Sequence, residues 1–142
     1  MFTTSDPLNR KITLKTETWN NKIANITGEN NNKAHGNSHE DMIPFLHEIQ
    51  KSIENPNFII KDLKIDGIDP NGNEIYIPSE DREEFFKIFI NEEKGCLNGL
   101  KTIVEFNEEH TRGEIVTTHR MNGKLSKIST KGGVIYDSSK EL

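Results

Sequence analysis

The sequence predicts an α+β domain, with N-terminal helices packed on a twisted antiparallel β-sheet. Three observations carry that expectation. Apolar residues recur at helical spacing from Met42 to Ile53, β-branched and aromatic runs broken by turn residues fill the chain from Phe58 onward, and the helical signals precede most of the strand signals. The 142 residues suit one domain at roughly 100 to 200 residues per domain. It is expected to span 1–142, with its core between about 11 and 136.

Lys11-Ile12-Thr13-Leu14-Lys15 alternates polar and apolar residues and reads as a short half-buried strand. Thr16-Glu17-Thr18-Trp19 opens a helix behind a threonine cap, with Trp19, Ile23 and Ile26 on one side. The Asn-rich stretch 29–37 is a loop. Met42, Phe45, Leu46, Ile49 and Ile53 then mark one face of a helix of about three turns. Ser38 or Asp41 can cap it, and Pro44, lacking an N–H, fits only its first turn. Asn55-Pro56-Asn57 ends it. Phe58–Ile65 and Glu74–Ile77 flank the turn residues Asp69-Pro70-Asn71-Gly72, which predicts a hairpin. Ser79 to Asn91 fits a helix capped at Ser79 or a strand. Its Phe and Ile content favours a polar turn and a strand from about 85 to 90. Leu100–Asn107 and Glu114–Met121 are strands joined by the turn 108–113, Gly133–Tyr136 adds another, and 137–142 are expected to fray.

Hydrophobic residues make up 32% of the chain, enough for a modest core because they cluster in these runs. No apolar run approaches the ~18 residues of a membrane span. Met1–Asp6 has neither the basic nor the apolar part of a secretion signal, so no membrane association and no export of its own are expected. A single cysteine, Cys96, excludes an internal disulfide and a cysteine metal cluster. The net charge of -5 argues at first against a phosphate-bearing ligand, but it is unevenly spread. Residues 1–39 carry +2, residues 40–109 carry -10 and residues 110–142 carry +3. The two ends can therefore build a local basic surface behind which the acid lies.

Among the five histidines, His35 and His39 have the i, i+4 spacing of a metal pair, but Gly36 and Asn37 between them oppose the helix such a pair needs. No metal or other cofactor is expected, and phosphate loops, nucleophile elbows and Cys–His pairs are absent from the sequence. His39 stands where backbone N–H groups at a helix entrance favour an anion, although a solvent-exposed histidine is the commoner case there. Glu40 either orients His39 or suits the helix dipole. Lys22 is left at the rim of the first helix. In the late strand Thr117 and His119 share one face while Thr118 and Arg120 share the other. Threonine pairs often reflect only β propensity. With His119, Arg120 and the basic tail they become candidates for holding a phosphate.

The order Thr-x-Thr-Trp19-x-x-Lys22-Ile23, then His39-Glu40-Asp41-Met42, Asn55-Pro56-Asn57-Phe58-Ile59 and Ile115-Val116-Thr117-Thr118 resembles the BECR nuclease superfamily (barnase, EndoU, colicin and RelE-like nucleases), in particular its phage and polymorphic-toxin branches. The likeness spans about residues 11–136. It departs from the family pattern where Glu40 follows His39 without an intervening proline. It departs again where Asn20-Asn21-Lys22 replaces a histidine near the tryptophan, and where Thr118 and His119 stand for a small and an aromatic residue.

The resemblance implies a metal-independent ribonuclease toxin, with transfer RNA a possible substrate, acting in the cytoplasm of a target cell after delivery. It also implies a monomer neutralised by a cognate immunity or antitoxin protein. In such an enzyme the ribose 2′-hydroxyl is the nucleophile, so the protein needs only a base, an acid and charge stabilisation. The implied roles are acid and base for His39 and His119, charge stabilisation for Lys22, Arg112 or Arg120, and hydrogen bonding to phosphate for Thr117, with Thr118 and Glu40 beside the substrate. The competing reading is a non-catalytic interaction protein, such as an immunity or antitoxin partner, whose acidic middle would bind a basic protein.

Overall fold

The computed structural model describes residues 1–24, 39–89, 98–121 and 128–140, with the backbone alone for 39–41. It is an α+β fold built on a seven-stranded sheet. Strands β1 (Phe2–Ser5) and β2 (Lys11–Leu14) form an antiparallel hairpin, followed by the short helix α1 (Thr16–Thr18), which continues as a π-helical turn over Trp19–Ile23. A 3₁₀ segment, His39–Phe45, leads into α2 (Leu46–Glu54). Strands β3 (Phe58–Ile68), β4 (Glu74–Ile88), β5 (Gly99–Phe106), β6 (Arg112–Arg120) and β7 (Val134–Asp137) complete the sheet, in the spatial order β1-β2-β6-β5-β4-β3-β7.

Several expectations need correction. The sheet is mixed, because β2 lies parallel to β6, and the strand β1 precedes every helix. Lys15, not a threonine, is the N-cap of α1, and no side chain caps it. The helix expected from Met42 begins as a 3₁₀ segment containing Pro44, and α-helical geometry starts only at Leu46. Proline's missing N–H explains the delay. Residues 79–88 continue β4 instead of beginning with a separate turn. The chain after Asp137 forms a 3₁₀ turn, Ser138–Lys140. Ile26, the loop 29–37, Ser38 and Cys96 lie outside the described residues.

The core follows from the strand alternation. Ile59, Phe85, Leu100, Val104, Phe106 and Ile115 turn to one side of the sheet and meet Met42, Phe45, Ile49 and Ile53 from the helical segment, with Trp19 and Ile23 closing one end. Each such side chain taken fully out of water contributes about 1.5–3 kcal/mol. The other side of the sheet, here the distal face, holds the buried Ile60, Phe86, Ile88 and Ile103. Gly113 permits close packing where β6 begins, since a Cβ there would lie 2.6 Å from Val104 Cγ1.

Candidate functional site

The geometry of β6 is set by one extra residue. Val104 pairs with Ile115 but Ile103 pairs with Thr117, so Val116 forms a bulge and reverses the phase of the strand. Beyond it, Thr118 and Arg120 join the core side, opposite Thr102 and Leu100, while Thr117 and His119 turn to the distal face. The expected division into two faces is what the register gives. Its consequence is that these four residues do not converge on one ligand.

Thr118 is 1% exposed and sits in a chain of buried hydroxyls. Ser52 Oγ donates to the Ile49 carbonyl at 2.6 Å, Ser52 and Thr102 hydroxyls are 2.9 Å apart, and Thr102 and Thr118 hydroxyls 3.0 Å apart. Each hydroxyl carries one proton. Ser52 therefore accepts from Thr102, and Thr102 accepts from Thr118, so the Thr118 proton points inward beneath α2. Thr118 is therefore buried as part of this hydroxyl chain beneath α2. Thr102→Val is expected to cost about 1–3 kcal/mol, read as a lowered denaturation midpoint with an unchanged slope, because it removes the middle of the chain.

Arg120 lies on the core side with its guanidinium carbon 5.8 Å from the Phe45 ring centroid. Lys22 is exposed on the π-helical turn that packs on β6. The segment bearing His39 and Glu40 belongs to the same helical side, and the side chains of these two lie outside the described residues. Arg112 is at the opposite end of β6, about 26 Å from Arg120 at 3.3 Å per residue. It lines a depression with Lys11, Thr3, Thr13, Glu105 and Glu114. The six candidates whose side chains are described thus fall into three places.

His110 is structural. Its Nε2 is 2.6 Å from the Glu80 carbonyl oxygen, its Nδ1 is 3.1 Å from that of Glu108, and its ring stacks on Phe106. His47 is exposed on α2, and His35 lies outside the described residues. Among the described residues, no three His, Cys, Asp or Glu side chains gather at a spacing that could hold a metal ion, and no helix is long and apolar enough to cross a membrane.

The distal face brings together residues that the sequence did not single out. One cross-strand row runs Phe58, Phe86, Lys101, His119, and the next runs Ile60, Glu84, Ile103, Thr117. Directly paired residues have Cβ atoms about 5 Å apart, so Lys101 and His119 are neighbours, and so are Ile103 and Thr117. Lys101 Nζ lies 3.5 Å from Glu84 Oε2. Glu84 has a side chain only 14% exposed, over a floor of Phe86 and Ile103. Burial pushes its carboxyl above the usual range, Lys101 pulls it back, and the nearby Asp62 charge pushes it up again. A carboxyl, an ammonium, a hydroxyl and an imidazole thus share one side of the sheet. Strand register produced this group, and no local pattern in the sequence reports register between Glu84 and Lys101.

Compared with protein-family models, curated proteins and solved structures, the chain matches none.

Proposed function

We propose that this protein is a metal-independent ribonuclease that uses the ribose 2′-hydroxyl as nucleophile, with its centre on the distal face at Glu84, Lys101, Thr117 and His119. The observation that carries the reading is the pair of adjacent rows, which sets a partly buried carboxylate and a histidine on either side of Lys101. Strands β4 and β6 are two strand spacings apart, about 10 Å, with Lys101 and Ile103 of β5 between them. Glu84 takes the proton from the 2′-hydroxyl. The 2′-oxygen attacks phosphorus, the bond to the 5′-oxygen breaks, and His119 supplies the proton to that leaving oxygen. Lys101 and the Thr117 hydroxyl stabilise the charge on the non-bridging oxygens. The products are a 2′,3′-cyclic phosphate and a 5′-hydroxyl.

His119 keeps the role that the family resemblance implies, and Glu84 takes the one assigned to His39. The test is incubation of the purified protein with total RNA in the presence of a chelator, followed by mapping of cyclic phosphate ends. His119→Ala is expected to lose cleavage by about 10²–10⁴-fold. If His39→Ala abolishes cleavage while His119→Ala and Glu84→Gln retain it, the centre lies on the helical side with Lys22 and Arg120. If RNA is left intact by the unaltered protein, the non-catalytic reading stands.

A further inference from the structure

The hairpin formed by β3 and β4 extends beyond the rest of the sheet. Strand β5 pairs with β4 only from Arg82 onward, whereas β3 and β4 remain paired out to Ile68 and Glu74. The pairing shifts between Lys61 and Leu63 on β3, opposite Glu83 and Pro78 on β4. On β4, Ser79 Oγ accepts from the Arg82 N–H at 3.2 Å and donates to Asp81 Oδ1 at 2.8 Å. This irregularity separates a two-stranded ribbon, residues 63–78, from the sheet proper. Its tip is firm: Asp69 Oδ1 accepts from the Asn71 and Asn73 N–H groups, and Gly72 adopts φ 84°.

One face of this ribbon is apolar except at Glu74. The pairs Leu63–Pro78 and Ile65–Tyr76, followed by Ile68 opposite Glu74, lie on the same side. Ile65 is 56% exposed, Ile68 68% and Tyr76 54%. Single exposed apolar residues are ordinary, but a contiguous cross-strand set on a projecting element is the kind of surface that marks an interaction site. A two-stranded ribbon on its own is also marginally stable in water. The Tyr76 hydroxyl donates to Glu74 Oε2 at 2.5 Å, which holds the ring along the ribbon as a preordered anchor.

The charge around the stripe selects the occupant. The ribbon, residues 63–78, carries three carboxylates (Asp66, Asp69, Glu74) against Lys64, and Asp62, Glu80 and Asp81 stand at its base with Lys61, a balance of -4 over residues 61–81. Such a rim repels nucleic acid, anionic lipid and a second copy of the same ribbon. We infer that the ribbon is the docking site of a basic protein segment. The segment lays apolar side chains on Leu63, Ile65, Ile68 and Tyr76 and sets lysines or arginines against the surrounding carboxylates. This inference stands whether or not the chain cuts RNA.

The test titrates the isotope-labelled full chain with two short peptides of identical alternating apolar pattern, one with lysine and one with glutamate at the intervening positions. The lysine peptide is expected to shift amide resonances of residues 63–78, to bind at least ~10-fold more tightly than the glutamate peptide and to weaken at raised salt. The double variant Ile65→Thr, Tyr76→Thr is expected to lose that binding by at least ~10-fold at an unchanged melting temperature, since both side chains are exposed. Equal binding of both peptides, no binding of the lysine peptide, shifts confined to other residues, or dimerisation of the chain through the ribbon would each overturn the inference.

Discussion

Glu84→Gln is expected to lower the rate of RNA cleavage by about 10²–10⁴-fold while leaving the protein at least as stable as before at neutral pH. The two halves of that expectation come from one cause. Burial holds the Glu84 carboxyl above its ordinary range, so the folded protein retains a proton that the unfolded chain releases. The sign follows: stability from this group is full below the unfolded value and falls as pH rises through the folded one. At neutral pH the ionised carboxylate is a burden on the fold, and glutamine removes it. The proposed activity is expected to run the other way, because a base must be ionised, so that cleavage should rise with pH through the same raised value.

Neighbouring charges then move that acid limb in opposite directions. Lys101→Met removes the cation that favours ionised Glu84 and is expected to shift the limb to higher pH, with a lower plateau from lost charge stabilisation. Asp62→Asn removes a like charge and is expected to shift the limb to lower pH. Pre-steady-state rates between pH 4 and 8 on a single defined oligonucleotide measure both. If the two variants move the limb the same way, or leave it in place, Glu84 is not the base.

Much of the fold was legible because it is written locally. The Asp69-Pro70-Asn71-Gly72 turn announced the β3–β4 hairpin, and the spacing from Met42 to Ile53 announced the helical face that covers the core. The adjacent apolar pair Ile115-Val116 was a trace of the bulge, since strict alternation would have placed a polar residue at one of them. Pairing between distant strands was not legible. The parallel partnership of β2 with β6 joins residues about a hundred positions apart, and nothing in Lys11–Leu14 specifies its neighbour. The same limit hid Glu84 and Lys101, which look like unremarkable solvated charges until register sets them beside His119 and Thr117. A group of side chains assembled across strands is therefore less visible in sequence than the scaffold that bears it.

Arg10→Met should produce the largest loss of stability, about 3–5 kcal/mol, and the reason lies in a cluster whose Arg10–Glu83 pair joins residues 73 positions apart. Arg10 Nε donates to Asp6 Oδ2 at 2.8 Å, and its two terminal nitrogens donate to the Glu83 carboxylate at 3.1 and 2.8 Å, a two-point grip that lysine cannot reproduce. The guanidinium carbon also lies 4.2 Å from the Phe106 ring centroid. Burial opposes the charge on Arg10, but the hydrogen bonds and charges of Glu83 and Asp6 outweigh it and push the guanidinium above its ordinary value. Asp6 Oδ1 still accepts the Leu8 and Arg10 N–H groups without the Arg10 side chain. Glu83, 3% exposed, is the group left stranded. The double variant Arg10→Met, Glu83→Met should accordingly recover much of the loss, whereas Arg10→Lys should recover little. Denaturant unfolding of Arg10→Met, Glu83→Met, the double variant and Arg10→Lys decides it. If the double variant is as unstable as the sum of its parts, the cluster is held by packing on Phe106, not by relief of a buried carboxylate. The outcome matters for the distal face as well, because Arg10 ties the β1–β2 hairpin to β4, and β2 is the strand that flanks β6 at the edge where its register begins.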